Sequence, residues 1–139
     1  SSINQGGNTA ATWNVVPINT EDWDPDNIAS VANNEITIPN AGTYIIRWQI
    51  GTNFSNGFQI ALLDTNNAVI KAGGRSYCSS SYCYGDRQAG WYKVTQTGSV
   101  TYRLGLFPET AYSYGLGHHV SNSISDVFDH FVHIYKLVD

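Results

Sequence analysis

The chain has no methionine, two cysteines, four prolines and only seven lysines and arginines in 139 residues, and charged residues make up 13% of it. So few charges exclude a charge-rich disordered tail and a coiled coil. A formal net charge of −4 leaves no electrostatic footprint for a phosphate backbone and no polybasic patch for an anionic bilayer. Neither a nucleic-acid partner nor membrane insertion is expected. No apolar run approaches the roughly 20 residues that a membrane-spanning helix needs. The opening Ser1 to Asn8 has neither a basic segment nor an apolar stretch, which fits a processed form or an excised piece of a longer chain.

Two cysteines, Cys78 and Cys83, fall short of the four ligands of a structural zinc site. A short disulfide across a loop or hairpin tip and a pair of free thiols both fit their spacing. The oxidised form would point to an extracellular or virion-surface setting.

What the chain does have is β-branched and turn-forming residues. Isoleucine and valine total 22 against 6 leucines, and asparagine, serine, threonine and glycine supply 50 positions. That balance favours strands over helices, and the length suits one core. Residues 1–11 read as a flexible lead or connector and 12–139 as one head domain. Strands are expected at Trp13 to Ile18, Ile28 to Val31, Glu35 to Pro39, Thr43 to Ile50, Gly57 to Leu63, Ala68 to Lys71, Trp91 to Thr95, Ser99 to Phe107 and Phe131 to Val138. The stretch from Gly73 to Gly90 and the one from Pro108 to Ser125 read as long loops. Short strands separated by turn clusters mean an antiparallel sandwich or barrel.

Two strands fix the orientation of side chains. Period two places Tyr44, Ile46, Trp48 and Ile50 on one face, which is a core face, and Ile45, Arg47 and Gln49 on the other. In the last strand Val132, Ile134 and Val138 share one face, while Phe131, His133, Tyr135 and Leu137 share the opposite one. Both faces are apolar or aromatic, so the strand needs cover on two sides, from a second subunit or from within the chain.

The order of these pieces resembles the jelly-roll heads of the tumour necrosis factor and complement-q superfamily. The resemblance rests on an early Trp-containing strand, Ile-Pro-Asn-Ala-Gly-Thr-Tyr-Ile-Ile-Arg-Trp at Ile38 to Trp48, Gly-x-Val-x-Tyr-x-Leu at Gly98 to Leu104, and the closing Phe-Val-His-Ile-Tyr-Lys-Leu. It spans Trp13 to Leu137 and is most similar to members in bacteriophage fibres and bacterial collagen-like surface proteins. The resemblance implies a homotrimer with Phe131, His133, Tyr135 and Leu137 at the threefold contact; Ile45, Arg47 and Gln49, the outer face of the Thr43 to Ile50 strand, are candidate trimer-interface residues as well. It implies a virion-surface, extracellular or cell-surface location.

Candidate chemistry is sparse. His118 and His119 sit in a Gly-rich loop, and His130 and His133 point to opposite faces of a strand. Three copies of His133 around an axis could make assembly pH-sensitive. Asp22, Asp24 and Asp26 alternate in a turn-rich segment, but Asn27 and Asn33 stand where a helix-loop-helix calcium site needs Gly and Glu. A solvated acidic loop is favoured over a Ca2+ site, and no other cofactor is suggested. There is no Gly-x-Ser-x-Gly elbow or phosphate-cradling loop, and Glu21, Glu35 and Glu109 fall in no hydrolase motif, so no enzymatic activity is expected.

Aromatic rings among serine and glycine are the stronger signal. Arg75, Tyr77, Tyr82, Tyr84, Asp86, Arg87 and Trp91, followed by Tyr112, Tyr114, His118 and His119, have the composition of an antibody contact surface. They are the candidate ligand-binding residues, for a host-surface receptor or glycan, unless the tyrosines pack down and cap the sandwich. The expected function is a non-enzymatic trimeric binding head at the tip of a fibre or stalk. The alternatives are a structural trimerisation or capsid-decorating module and a free secreted lectin.

Overall fold

Alternation of β-branched and polar residues between Asn- and Gly-rich turns produces an all-β chain in the computed structural model, which describes residues 9–18, 20–52, 57–77, 86–110 and 130–137. Among these residues the strands are β1 (Asn14–Val15), β2 (Ser30–Ala32), β3 (Glu35–Ile38), β4 (Gly42–Thr52), β5 (Gly57–Leu63), β6 (Val69–Tyr77), β7 (Asp86–Gln96), β8 (Val100–Pro108) and β9 (Phe131–Leu137). One antiparallel sheet runs β2-β3-β8-β5-β6, with β1 added along the β8 edge; the other runs β7-β4-β9. The two sheets face each other as a sandwich. None of the described residues form a helix long and apolar enough to cross a membrane.

Turn chemistry sets the hairpins. Asn33 and Asn34 adopt φ values of 54° and 60°, the paired left-handed geometry that reverses β2 into β3 with the right twist. Between β5 and β6, the Asp64 carboxylate accepts the N–H groups of Asn66 (2.8 Å) and Ala68 (2.9 Å), and Asn67 supplies the left-handed φ of 60°.

The core lies between the sheets. Tyr44, Ile46, Trp48 and Ile50 from β4 meet Phe58, Ile60 and Leu62 from β5 and Tyr102, Leu104 and Leu106 from β8. All four inward β4 side chains expected from period two are at most 1% exposed. Burial of each large apolar side chain contributes about 1.5–3 kcal/mol.

A buried amide closes one end of this core. Gln96 Nε2–H groups donate to the carbonyls of Gly98 (2.8 Å), Ile38 (2.9 Å) and Asn40 (3.1 Å), and Gln96 Oε1 accepts the Tyr102 hydroxyl at 3.2 Å. Burial first, then the neighbouring Tyr92, raises the Tyr102 pKa above 10.0, so the hydroxyl remains a donor at neutral pH. One side chain thus ties β7 to the ends of β3 and β8.

The structure revises two of the expected strand and loop assignments and describes the end of the expected lead. The expected strand from Trp13 to Ile18 shrinks to Asn14–Val15, with Trp13 packed edge-on to Phe107 at 5.3 Å between ring centroids. Of the expected lead over 1–11, residues 1–8 lie outside the described residues, and Ala11 N–H donates to the Pro108 carbonyl at 2.8 Å, tying the segment to β8. Most consequentially, the supposed loop from Gly73 to Gly90 is strand at both ends: β6 continues to Tyr77 and β7 begins at Asp86, and residues 78–85 lie outside the described residues. Arg75, Tyr77, Asp86, Arg87 and Trp91 are therefore strand residues. The glycines that read as loop signals serve packing. A Cβ on Gly90 would collide with the Trp48 indole, and one on Gly73 would meet Ile60 at 2.8 Å and Trp48 at 3.2 Å. The indole is 1% exposed, and its Nε1–H finds no partner among the described residues, so shape rather than polarity selects it.

Two outcomes test this account. Gln96→Leu strands three carbonyls and a hydroxyl, and should cost about 2–4 kcal/mol in urea unfolding; a loss below about 0.5 kcal/mol would contradict the plug. Gly90→Ala should cost about 1–3 kcal/mol by overpacking against Trp48, and an unchanged midpoint would show that the slot has slack.

Candidate functional site

The outward residues of β7, β4 and β9 form a grid that single strands do not reveal. Register sets Thr95 opposite Thr43 and Thr43 opposite Leu137; Lys93, Ile45 and Tyr135 form the next row, then Trp91, Arg47 and His133, then Ala89, Gln49 and Phe131. Directly opposed side chains lie about 4.5–5.5 Å apart at Cβ, so each row is a contiguous strip. Trp91 is 62% and Tyr135 49% exposed, and Arg47, His133 and Lys93 are exposed as well. Phe131 is half-buried and stacks on His133, with ring centroids at 4.7 Å and an interplanar angle of 29°. Ile45, Gln49 and Leu137 are half-buried. The seven residues expected at a subunit contact thus share one face.

Trp91 belongs to this face rather than to a loop cluster, because Gly90 turns its backbone inward against Trp48 and alternation then sends Trp91 out. Arg75 and Arg87 are exposed on β6 and β7, and Tyr77, 72% exposed, stands at the end of β6. Asp86 opens β7. Tyr82, Tyr84, Tyr112, Tyr114, His118 and His119 lie outside the described residues, as do Cys78 and Cys83.

A second feature lies at the opposite edge of the sandwich, where β9 and the β2–β3 hairpin diverge. A cleft of about 510 Å³ opens there, walled by Ile18, Ile28, Val31, Ile36, Val132 and Ile134 and rimmed by residues 20–26. Phe131 and His133 also line it, so it is continuous with the outer face of the small sheet. Trp23, on the rim, is 84% exposed. Sequence reading passed over Trp23 because its acidic neighbours read as a solvated turn. It passed over Lys93 too, although its period-two spacing from Trp91 was a usable signal.

The structure does not join Asp22, Asp24 and Asp26 into a cation site. Asp24 spends its carboxylate on the backbone, accepting N–H groups from Ile28 at 2.9 Å and Ala29 at 3.0 Å. These bonds, that from Ala29 first, hold its pKa below the ordinary 3.8. Asp22 and Asp26 remain exposed, and no three His, Cys, Asp or Glu among the described residues gather where a metal could be held. His130 Nδ1 accepts the Gly51 N–H at 3.3 Å, which binds the start of β9 to β4.

Comparison with protein-family models and with curated proteins returns no match.

The geometry therefore speaks for itself. The outer face of the small sheet is a broad, shallow surface of rings and cations, which suits a large complementary surface.

The Asp24 cap makes a direct prediction. A lowered folded-state pKa means that the carboxylate stabilises the loop above pH 3.8 and that this support disappears as pH falls through the lowered value. The amide resonances of Ile28 and Ala29 should titrate together with a midpoint below 3.8. A midpoint at or above 3.8 would show that the cap is not formed in solution.

Proposed function

We propose that the chain is a jelly-roll head that assembles as a homotrimer through the outer face of β7-β4-β9 and presents the Tyr77 end of β6 to a host-surface receptor or glycan. The observation that carries this reading is the uncovered grid itself: Trp91, Tyr135, Phe131, Ile45 and Leu137 share a sheet face that a lone sandwich would keep polar. Covering each large ring would contribute about 1.5–3 kcal/mol, so the face is a liability alone and a driving force in an assembly.

The strand order supports the jelly-roll reading. β5 pairs with β8 and β4 with β9, while β6 and β7 adjoin at the sheet edges, so the pairs nest as in a long hairpin rolled upon itself. A closed ring of identical contacts fits a threefold assembly. Threefold repetition would also give weak individual sites avidity. Tyr77 with Arg75 and Arg87 offers ring stacking beside hydrogen-bond donors, the pairing that sugar and protein surfaces both accept. A head of this kind would work outside the cell or on a virion surface, without catalysis.

Size-exclusion chromatography with light scattering should return about three times 15.3 kDa for the wild type, and about 15.3 kDa for Tyr135→Lys. A wild type that stays at 15.3 kDa across micromolar to millimolar concentration would remove the assembly reading. If it assembles, Tyr77→Ala should leave the mass unchanged and reduce adsorption to a glycan array or host-cell surface. Unchanged adsorption would favour a purely structural or virion-decorating module.

A further inference from the structure

The two edges of the sandwich differ in charge: the closed β6–β7 edge is mainly basic, with Asp86 its one carboxylate, and the rim of the open edge is acidic. At one edge β6 and β7 adjoin, and they hold four of the seven basic residues of the chain: Lys71, Arg75, Arg87 and Lys93. Lys71 and Lys93 flank a shallow groove floored by Gly73, Gly74 and Gly90, with the exposed Trp91 on its bank. At the other edge the apolar cleft beside β9 is rimmed by Glu21, Asp22 and Asp26, all exposed, while the fourth carboxylate, Asp24, is turned to the backbone.

We propose that the cleft is the docking site for a second copy of this chain, which enters it with its β6–β7 edge: Trp91 against the apolar wall beside Phe131, and Lys71 and Lys93 against Glu21, Asp22 and Asp26. The inference rests on the self-association reading above and specifies its contact. Three observations select this occupant. The charges are complementary, and an acidic rim favours a basic visitor. The cleft continues into the outer face through Phe131 and His133, so a copy covering that face reaches the cleft without a second interface. And the Trp91 ring lies on the border between the face and the basic edge, where a neighbour would meet it.

Such a contact joins two different patches. It is therefore heterologous and repeats around a ring, whereas a face that matched itself would stop at a twofold dimer. Its charged part should also weaken as salt rises.

The test is a charge swap at exposed positions, read by light scattering at low salt, with far-UV circular dichroism to verify the fold. Lys71→Glu with Lys93→Glu sets two carboxylates against the acidic rim; Glu21→Lys with Asp22→Lys sets two ammonium groups against Lys71 and Lys93. Each pair should reduce the mass about threefold, to 15.3 kDa, and the four changes together should restore the assembly. As milder companions, Lys93→Gln and Asp22→Asn should each lower the association constant by at least several-fold while keeping the fold. A folded quadruple variant that stays monomeric, or either reversed pair that assembles like wild type, would overturn the proposed contact and leave the self-association reading intact. A monomeric wild type would remove both.

Discussion

The Trp48 indole, pressed between Gly73 of β6 and Gly90 of β7, is the constraint on which the rest of the structure depends. Only where both strands lack a Cβ can the edges of two different sheets approach over a ring of that size. The contact closes the sandwich along one edge and sets the inward phase of β7. With Gly90 facing in, Trp91 must face out. The position of the largest exposed ring on the small sheet thus follows from a packing event on the opposite side of the same strand.

Closure at one edge leaves the other open. β9 ends the three-stranded sheet, and its far side diverges from the β2–β3 hairpin to form the cleft. The Asp24 cap shapes the segment that rims it by binding the backbone at Ile28 and Ala29. A sandwich with one sealed edge, one open edge and one bare aromatic face has an evident direction of association. This asymmetry links the core to the proposed function, because chemically distinct edges favour a ring over a symmetric pair.

Much of this was legible in the sequence, and the limits have physical causes. Period two exposed both faces of β4 and β9 because those strands lack internal glycine and proline over their central residues, so alternation runs uninterrupted. Asn33-Asn34 and Asp64 to Asn67 marked hairpins because few residues tolerate a left-handed backbone. The stretch from Gly73 to Gly90 misled for the opposite reason: glycine is ambiguous between a turn and a close approach, and only the Trp48 ring, distant in sequence, resolves it. Gln96 was equally opaque, since its role depends on carbonyls at Ile38 and Asn40. As for the site, the β4 and β9 contributions were readable strand by strand. Their union with Trp91 and Lys93 was not, because pairing of β4 with β7 is a long-range fact. The alternating aspartates suggested a cation; a backbone cap, which needs only one of them, is what they built.

The central claim is that the outer face of the small sheet is covered by identical copies. Hydroxyl-radical footprinting at assembling concentration tests it most directly, because Trp91, Tyr135 and Tyr77 are 62%, 49% and 72% exposed in the single chain and react at rates that reflect solvent access. The account predicts that Trp91 and Tyr135 become protected as concentration rises while Tyr77, at the far end of β6, stays reactive. Reaction of all three in proportion to their single-chain exposure at every concentration would contradict it.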